Sequence, residues 1–349
     1  MDSTHTLRDI NPGNSLERGE LCAFLAANGL DYEADTEGAV GVFDADERLV
    51  ACGCYTGAVL KQFAVDDAER GNNLLGAVLS RLVQARVARG VTRLFVFTKP
   101  DNAPLFLSSG FHSVASTGDV ALLENRRNGP EEYARQWALP AMPGEEVAAI
   151  VMHANPFTLG HRYLVEQAAA ACARVYVFVV EEDRAAFPFS VRLALVKEGL
   201  ADLGNVRVCP SGPYMIAAST FPSYFLKDKS TVPGVYARLD ATVFATRLAP
   251  PLGITCRYVG TEPHCAMTRA YNGELAKVLP ARGIALREVP RLAHGGAAVS
   301  ASRAREILCD KGAEAAGLAA LLPQPTLRWL AGTAAQPVLE RLCGAPPRG

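Results

Sequence analysis

The chain has 349 residues, a formal net charge of −1 and 20% charged residues. That length allows two domains with sizeable cores, and a near-neutral balance without a long basic run gives no reason to expect a nucleic-acid or membrane partner. Met1-Asp2-Ser3-Thr4-His5-Thr6 has neither a basic n-region nor an apolar core, and no apolar run reaches the roughly 20 residues of a membrane span, so the expected location is the cytoplasm.

The first region, residues 1–124, reads as a mixed α/β domain. Ala39 to Phe43 and Leu49 to Tyr55 are strand-like and flank the turn Asp44 to Glu47, which predicts an antiparallel hairpin. Cys52 and Cys54 fall on one face of the second strand; the nine cysteines are scattered, no Cys-x-x-Cys pair occurs, and buried free thiols with no metal site are expected. A strand over Val59 to Val65 leads through Arg70-Gly71-Asn72-Asn73-Leu74-Leu75-Gly76 into a helix ending near Arg89, then a strand from Arg93 to Thr98. This order, closed by Asn102-x-x-x-Phe106-x-x-x-Gly110-Phe111, resembles the GNAT acetyltransferase fold. In that family an Arg/Gln-x-x-Gly-x-Gly/Ala loop cradles the pyrophosphate of acyl-CoA on backbone amides. With Arg70 in the first position, Asn73 and Leu75 stand where the glycines belong; Asn tolerates a left-handed backbone, whereas Leu75 adds bulk. The resemblance implies the fold and leaves three roles open: acetyl transfer, holding a CoA-like pantetheine arm, or serving as an interaction module.

Residues 125–145 are polar, with Gly129-Pro130, Pro140 and Pro143, and read as a linker holding one short helix over Glu131 to Trp137. From residue 146 to 349 strands alternate with helices. The apolar runs 147–151, 175–180, 206–208, 255–259 and 284–289 predict strands; 162–173, 191–203, 236–248, 268–279 and 302–308 predict helices. Continuous apolar strands between helices indicate a Rossmann-like parallel sheet covered on both faces, with ligands outside the carboxyl ends of its strands.

Directly after the 147–151 strand stands His153-Ala154-Asn155-Pro156-Phe157-Thr158-Leu159-Gly160-His161. A helix N-terminus has unpaired N–H groups and a partial positive charge, Gly160 permits close backbone approach, and His161 can hydrogen-bond a phosphate oxygen. Taken alone, the same letters describe an ordinary βα corner with a capping Thr. The segment Val299-Ser300-Ala301-Ser302-Arg303-Ala304-Arg305 opens another predicted helix about 140 residues later, and the pair is a stronger signal than either. Asn-Pro-Phe-Thr-x-Gly-His followed by Ser-x-Ser-x-x-Arg resembles the two signatures of the nucleotidylyltransferase superfamily.

Other loops narrow the resemblance. Phe187-Pro188-Phe189-Ser190-Val191-Arg192, the insertion Ser211 to Lys227 with Thr220, Tyr224 and Phe225, Gly260-Thr261-Glu262-Pro263, Thr268-Arg269-Ala270-Tyr271 and Glu288-Val289-Pro290-Arg291 are together similar to the [citrate lyase] ligase family. That resemblance implies ATP and Mg2+ as cofactors, with acetate and the CoA-like prosthetic group of the citrate lyase acyl-carrier (gamma) subunit as partners. It implies His161 and Thr158 as catalytic groups on the phosphates, with His153, Asn155, Phe157 and Gly160 in the same ATP-binding turn. Ser300, Ser302 and Arg305 would hold the β- and γ-phosphates, and Gly260 and Glu262 would lie near the nucleoside. Arg192, Tyr224, Lys227 and Tyr271 are candidates for acceptor or substrate contact, with packing or solvation as the plainer reading. For Glu181, Glu182 and Asp183 the plainer reading is a solvated loop and the other is a metal role. The superfamily signatures alone equally permit adenylation of a phosphorylated small molecule such as phosphopantetheine or a mononucleotide.

Overall fold

The computed structural model describes residues 5–140, 143–182, 185–215, 221–262 and 265–344. Asp183, the stretch 216–220 with Thr220, and Pro263 lie outside the described residues. The chain divides into two compact units, Met1–Gly129 with Phe221–Val235, and Pro130–Thr220 with Tyr236–Gly349.

In the first unit β1 (Thr6–Ile10), α1 (Ser15–Ala27), β2 (Gly38–Phe43), β3 (Leu49–Thr56), β4 (Val59–Val65), α2 (Leu74–Val87), β5 (Phe95–Thr98), α3 (Ala103–Leu107), β6 (His112–Ser116) and β7 (Ala121–Glu124) follow in order. They build a seven-stranded sheet, β1-β2-β3-β4-β5-β7-β6, antiparallel except where β4 runs parallel to β5. Period-two alternation splits the strands between two cores. Val40 and Val42 face Val78, Leu79 and Leu82 of α2, while Ala39, Phe43, Cys52 and Cys54 face Leu21 and Leu25 of α1. Both thiols therefore share a face and are free; burial pushes Cys52 up to about 12. Asn73 takes the left-handed conformation, φ 54°, ahead of α2.

The β4 and β5 ladder is short, Val59↔Phe95 and Leu60↔Val96. Beyond it lies Tyr224, whose hydroxyl donates to the Phe97 carbonyl at 2.9 Å. Phe221 packs edge-on to Phe97, and the Ser223 N–H donates to Glu33. The segment 221–235, which lies in sequence between β10 and β11 of the second unit's sheet, thus completes the first unit's core.

The second unit opens with α4 (Gly129–Arg135), where Tyr133 donates to the Pro210 carbonyl and Glu131 pairs with Arg247. Next come β8 (Val147–Met152), α5 (Leu159–Ala171), β9 (Arg174–Val179), α6 (Phe189–Gly199), β10 (Val206–Pro210), α7 (Val232–Val243) with a π-helical turn over Phe244–Leu248, and α8 (Ala249–Leu252). They are followed by β11 (Cys256–Gly260), α9 (Ala266–Val278), β12 (Ala285–Val289), the hairpin β13 (Ala293–His294) and β14 (Ala297–Ala298), α10 (Ala301–Lys311), α11 (Gln324–Leu330) and α12 (Gln336–Gly344). The expected parallel sheet is present with order β10-β9-β8-β11-β12. The strand order reverses between β8 and β11, which opens a crevice at their carboxyl ends. Several boundaries differ from expectation; the predicted 191–203 helix, for one, runs Phe189–Gly199. α5 begins at Leu159, three residues before the predicted Arg162, because Thr158 caps it; the 236–248 helix starts at Val232 and changes to a π-helical turn at Phe244.

Candidate active site

The turn from β8 to α5 is held by its own polar groups. Thr158 is the N-cap, accepting from the His161 N–H at 3.3 Å, while the Thr158 N–H donates to His161 Nδ1 at 3.1 Å. This reciprocal capping satisfies two helix-end donors and fixes the imidazole. With Nδ1 accepting, the proton of the neutral ring is assigned to Nε2, which is left as a donor. Burial first, then neighbouring Arg291 and His153, lower the His161 imidazole to about 4, so it is neutral near pH 7. Phe157, fully buried, stacks beneath the ring at 6.0 Å and 16°. Upstream, buried Ala154 holds φ 49°, a left-handed conformation that costs an L-residue about 1–2 kcal/mol and is typical of backbone strain at functional turns.

The second motif meets the first through backbone. The β13 to β14 hairpin turns on Gly295 and Gly296, with φ 60° and 78°, and delivers Val299 and Ser300 to the start of α10. Ser300 caps α10, accepting from the Arg303 N–H at 3.2 Å. A Cβ added to Gly160 would lie 2.6 Å from the Val299 carbonyl oxygen, so only glycine lets the N-termini of α5 and α10 approach this closely. Arg305 donates to the Asn155 carbonyl and, at 3.1 Å, to Ser302 Oγ. Asn155 Oδ1 in turn accepts from the Phe187 N–H at 3.0 Å.

Both helix ends open on one cavity of about 770 Å³ at the carboxyl ends of the strands. Thr158, Gly160, His161, Ser300 and Ser302 line it, as do His153, Gly260, Glu262 and Tyr271. Glu262 pairs with Arg291, whose Nε donates to the Thr261 carbonyl at 2.8 Å, and Asn272 donates to the Gly260 carbonyl. His153 Nδ1 lies 3.4 Å from Glu182; desolvation and Arg192 lower its pKa, and Glu182 opposes them.

Asn155, Phe157, Arg192 and Arg305 do not line the cavity; Phe157, Arg192 and Arg305 contact His161, His153 and Ser302, which do, and Asn155 links Arg305 to Phe187. Arg192 is fully buried and donates to the carbonyls of Phe187, His153, Val180 and Glu182, locking the ends of β8 and β9 together. Tyr224 and Lys227 belong to the first unit, where Tyr224 is buried and Lys227 exposed. Sequence reasoning missed Tyr236, Asp240 and Arg257 and gave Arg291 no role of its own, yet all four line the cavity. Each is a single polar residue inside an apolar helix or strand, or in a loop without a recurring spacing.

A parallel α/β sheet with two capped helix N-termini abutting at its switch point defines a domain of the nucleotidylyltransferase type. The comparisons with known proteins narrow this. The family model for the citrate lyase ligase C-terminal domain matches residues 147–330. The chain is 43% identical over 318 residues to citrate (pro-3S)-lyase ligase of Klebsiella pneumoniae, covering 90% of this chain and 92% of that one. With the Escherichia coli K12 protein of the same name the identity is 37% over 327 residues, covering 92% of each. The chain belongs to the citrate lyase ligase family. Among solved structures, it is similar to a putative acyl-CoA N-acyltransferase of Klebsiella pneumoniae (19% identity, TM-score 0.29, covering 34% of this chain and 95% of that one). A GNAT-family acetyltransferase of Staphylococcus aureus Mu50 gives 14% identity and a TM-score of 0.30, covering 34% of this chain and 98% of that one.

Proposed function

We propose that the protein uses ATP to acetylate the thiol of the CoA-like prosthetic group on the citrate lyase acyl-carrier subunit, and so activates citrate lyase. One observation carries the reading at the site: two helix N-termini, each capped by a hydroxyl and separated by no side chain at Gly160, open on one cavity. Such an arrangement suits a polyphosphate. An acetate oxygen attacks the α-phosphorus of ATP, the bond to the β-phosphate oxygen breaks, and pyrophosphate leaves. The thiol sulfur then attacks the acetyl carbon of acetyl-adenylate, releasing AMP and the thiol proton. The protein's part in the first step is positioning and charge stabilisation rather than covalent catalysis. His161 donates from Nε2 to a phosphate oxygen, Thr158 holds that imidazole, and Ser300 and Ser302 with the α10 N-terminus receive the leaving pyrophosphate. Arg305 positions Asn155 and Ser302. Gly260 and Glu262 flank the nucleoside.

The cavity carboxylates Glu262 and Asp240 are engaged by Arg291 and Tyr271, and Glu182, which does not line the cavity, lies against His153. Among the described residues, the only group of three potential metal ligands is Glu146, Cys172 and Cys256, none of which lines the cavity. Mg2+ therefore fits as an ion carried on the ATP phosphates, where it would neutralise charge, rather than in a protein cage.

The test is ATP–pyrophosphate isotope exchange by the full chain, with and without acetate, alongside His161→Ala. Acetate-dependent exchange, reduced roughly 100- to 1,000-fold in the variant, supports the reading. Exchange that ignores acetate but responds to a phosphorylated co-substrate would replace it with simple nucleotidyl transfer.

A further inference from the structure

We propose that Arg257 receives the carboxylate of the acid to be activated, and that Tyr271 and Asp240 hold Arg257 for that purpose. The inference rests on the ligase reading and assigns its second substrate to a particular corner of the cavity, one that takes short monocarboxylates.

Arg257 stands within β11 and is only 2% exposed. A guanidinium carries five N–H donors and cannot shed its charge, so a buried one is normally surrounded by acceptors. Here Nη2 donates to the Tyr271 hydroxyl at 2.9 Å, and that hydroxyl donates to Asp240 Oδ2 at 2.5 Å. Nε and Nη1 are enclosed yet have no hydrogen-bond partner. Arg192 is the instructive contrast: equally buried, it meets four carbonyl oxygens. The Arg257 guanidinium instead rests against the Phe244 ring, 4.6 Å from its centroid, with the Tyr271 ring at 5.8 Å. Phe244 opens the π-helical turn Phe244–Leu248, a distortion that recurs at functional sites.

Arg257 lines the same cavity as His161 and Ser300. Its cluster adjoins the phosphate side through named neighbours. Tyr236 stacks on Tyr271 at 5.8 Å and 30°, and Tyr236, His153 and His161 line the same cavity. Val151, Val180 and Met215, which also line the cavity, are apolar and suit a short alkyl group rather than a second charge. A carboxylate supplies the acceptor that Arg257 lacks, and one of its oxygens remains available for attack on the α-phosphorus. The sugar and base of a nucleotide bring no such anion, which is why this corner fits the acid rather than ATP.

The experiment uses the full chain and follows ATP–pyrophosphate exchange against acetate and against ATP separately. Arg257→Gln, Arg257→Lys and Tyr271→Phe are compared, with ATP binding measured by calorimetry. For Arg257→Gln the acetate KM should rise roughly 10- to 100-fold, the worth of a charge-assisted contact, with ATP affinity within about threefold of the parent. Arg257→Lys should recover part of the loss, because it restores the charge without the planar donor set. Tyr271→Phe, which removes one hydroxyl and keeps the ring, should raise the acetate KM less; this variant decides the matter if Arg257→Gln does not fold. An unchanged acetate KM in Tyr271→Phe and Arg257→Gln, or an equal loss of ATP and acetate affinity, overturns the assignment while leaving the ligase reading standing. No acetate-dependent exchange in the parent protein overturns both.

Discussion

At His161 the nitrogen that holds the turn and the nitrogen left for a ligand are different atoms of one ring. Nδ1 is committed to the Thr158 N–H, so Nε2 presents a proton without the imidazole having to be charged. The lowered pKa has a consequence for stability. Unfolded, the group titrates near 6.5; folded, near 4. Between those values the unfolded chain binds a proton that the folded chain refuses, so this group leaves stability intact above pH 6.5 and erodes it as the pH falls towards 4. The slope contributed is at most about 1.4 kcal/mol per pH unit. Denaturant unfolding of the parent and His161→Asn from pH 4 to 7.5 should show the parent losing more stability than the variant below pH 6.5. A difference that stays constant with pH would refute this linkage. His153 shares the direction of shift, but Glu182 beside it opposes the change.

Between elements, Gly160 is where α5 and the approach to α10 touch. In Gly160→Ala the new methyl would collide with the backbone oxygen of Val299, which has no flexible side chain to swing away. The expected result is a ten-fold or larger rise in the ATP KM, of the order that roughly 1.4 kcal/mol gives, with a smaller fall in melting temperature. An ATP KM within twofold of the parent would show that the two helix ends need not meet. Much at this scale was legible in the sequence. The central strands β8 and β9 are apolar runs because both faces are covered, and each phosphate motif begins with a capping hydroxyl after a strand or hairpin. β1 was not legible: it is an edge strand whose one buried residue is Ile10, so Thr6–Ile10 shows no alternation. Nor was the Arg257, Tyr271 and Asp240 cluster, since its members come from a strand and two helices and share no spacing. The capping box moved the start of α5 ahead of the predicted Arg162 because hydrogen bonding at the turn outweighs the apolar period.

For the whole molecule, the informative departure is the path of residues 221–235. Their sequence neighbours belong to the second unit, yet Phe221, Tyr224 and Phe225 are buried with the first. A fragment ending at residue 129 therefore lacks the Tyr224 bond to Phe97, the Ser223 bond to Glu33 and the cover over the Phe97 ring. We expect it to bind a hydrophobic dye and to melt at least about 5 °C below the same unit within the full chain, as a loss on the order of 1 kcal/mol or more would give. An equally cooperative and equally stable fragment would show that the segment is dispensable to that core. No helix among the described residues is long and apolar enough to cross a membrane. The same path sets a schedule for synthesis. Residues up to 129 leave the ribosome first, but the piece that finishes their core follows on the order of ninety residues later, roughly 5–20 s at ordinary elongation rates. During that interval the β4 to β5 opening has no tyrosine to close it, and the nascent first unit must wait, partly uncovered, for its own downstream chain.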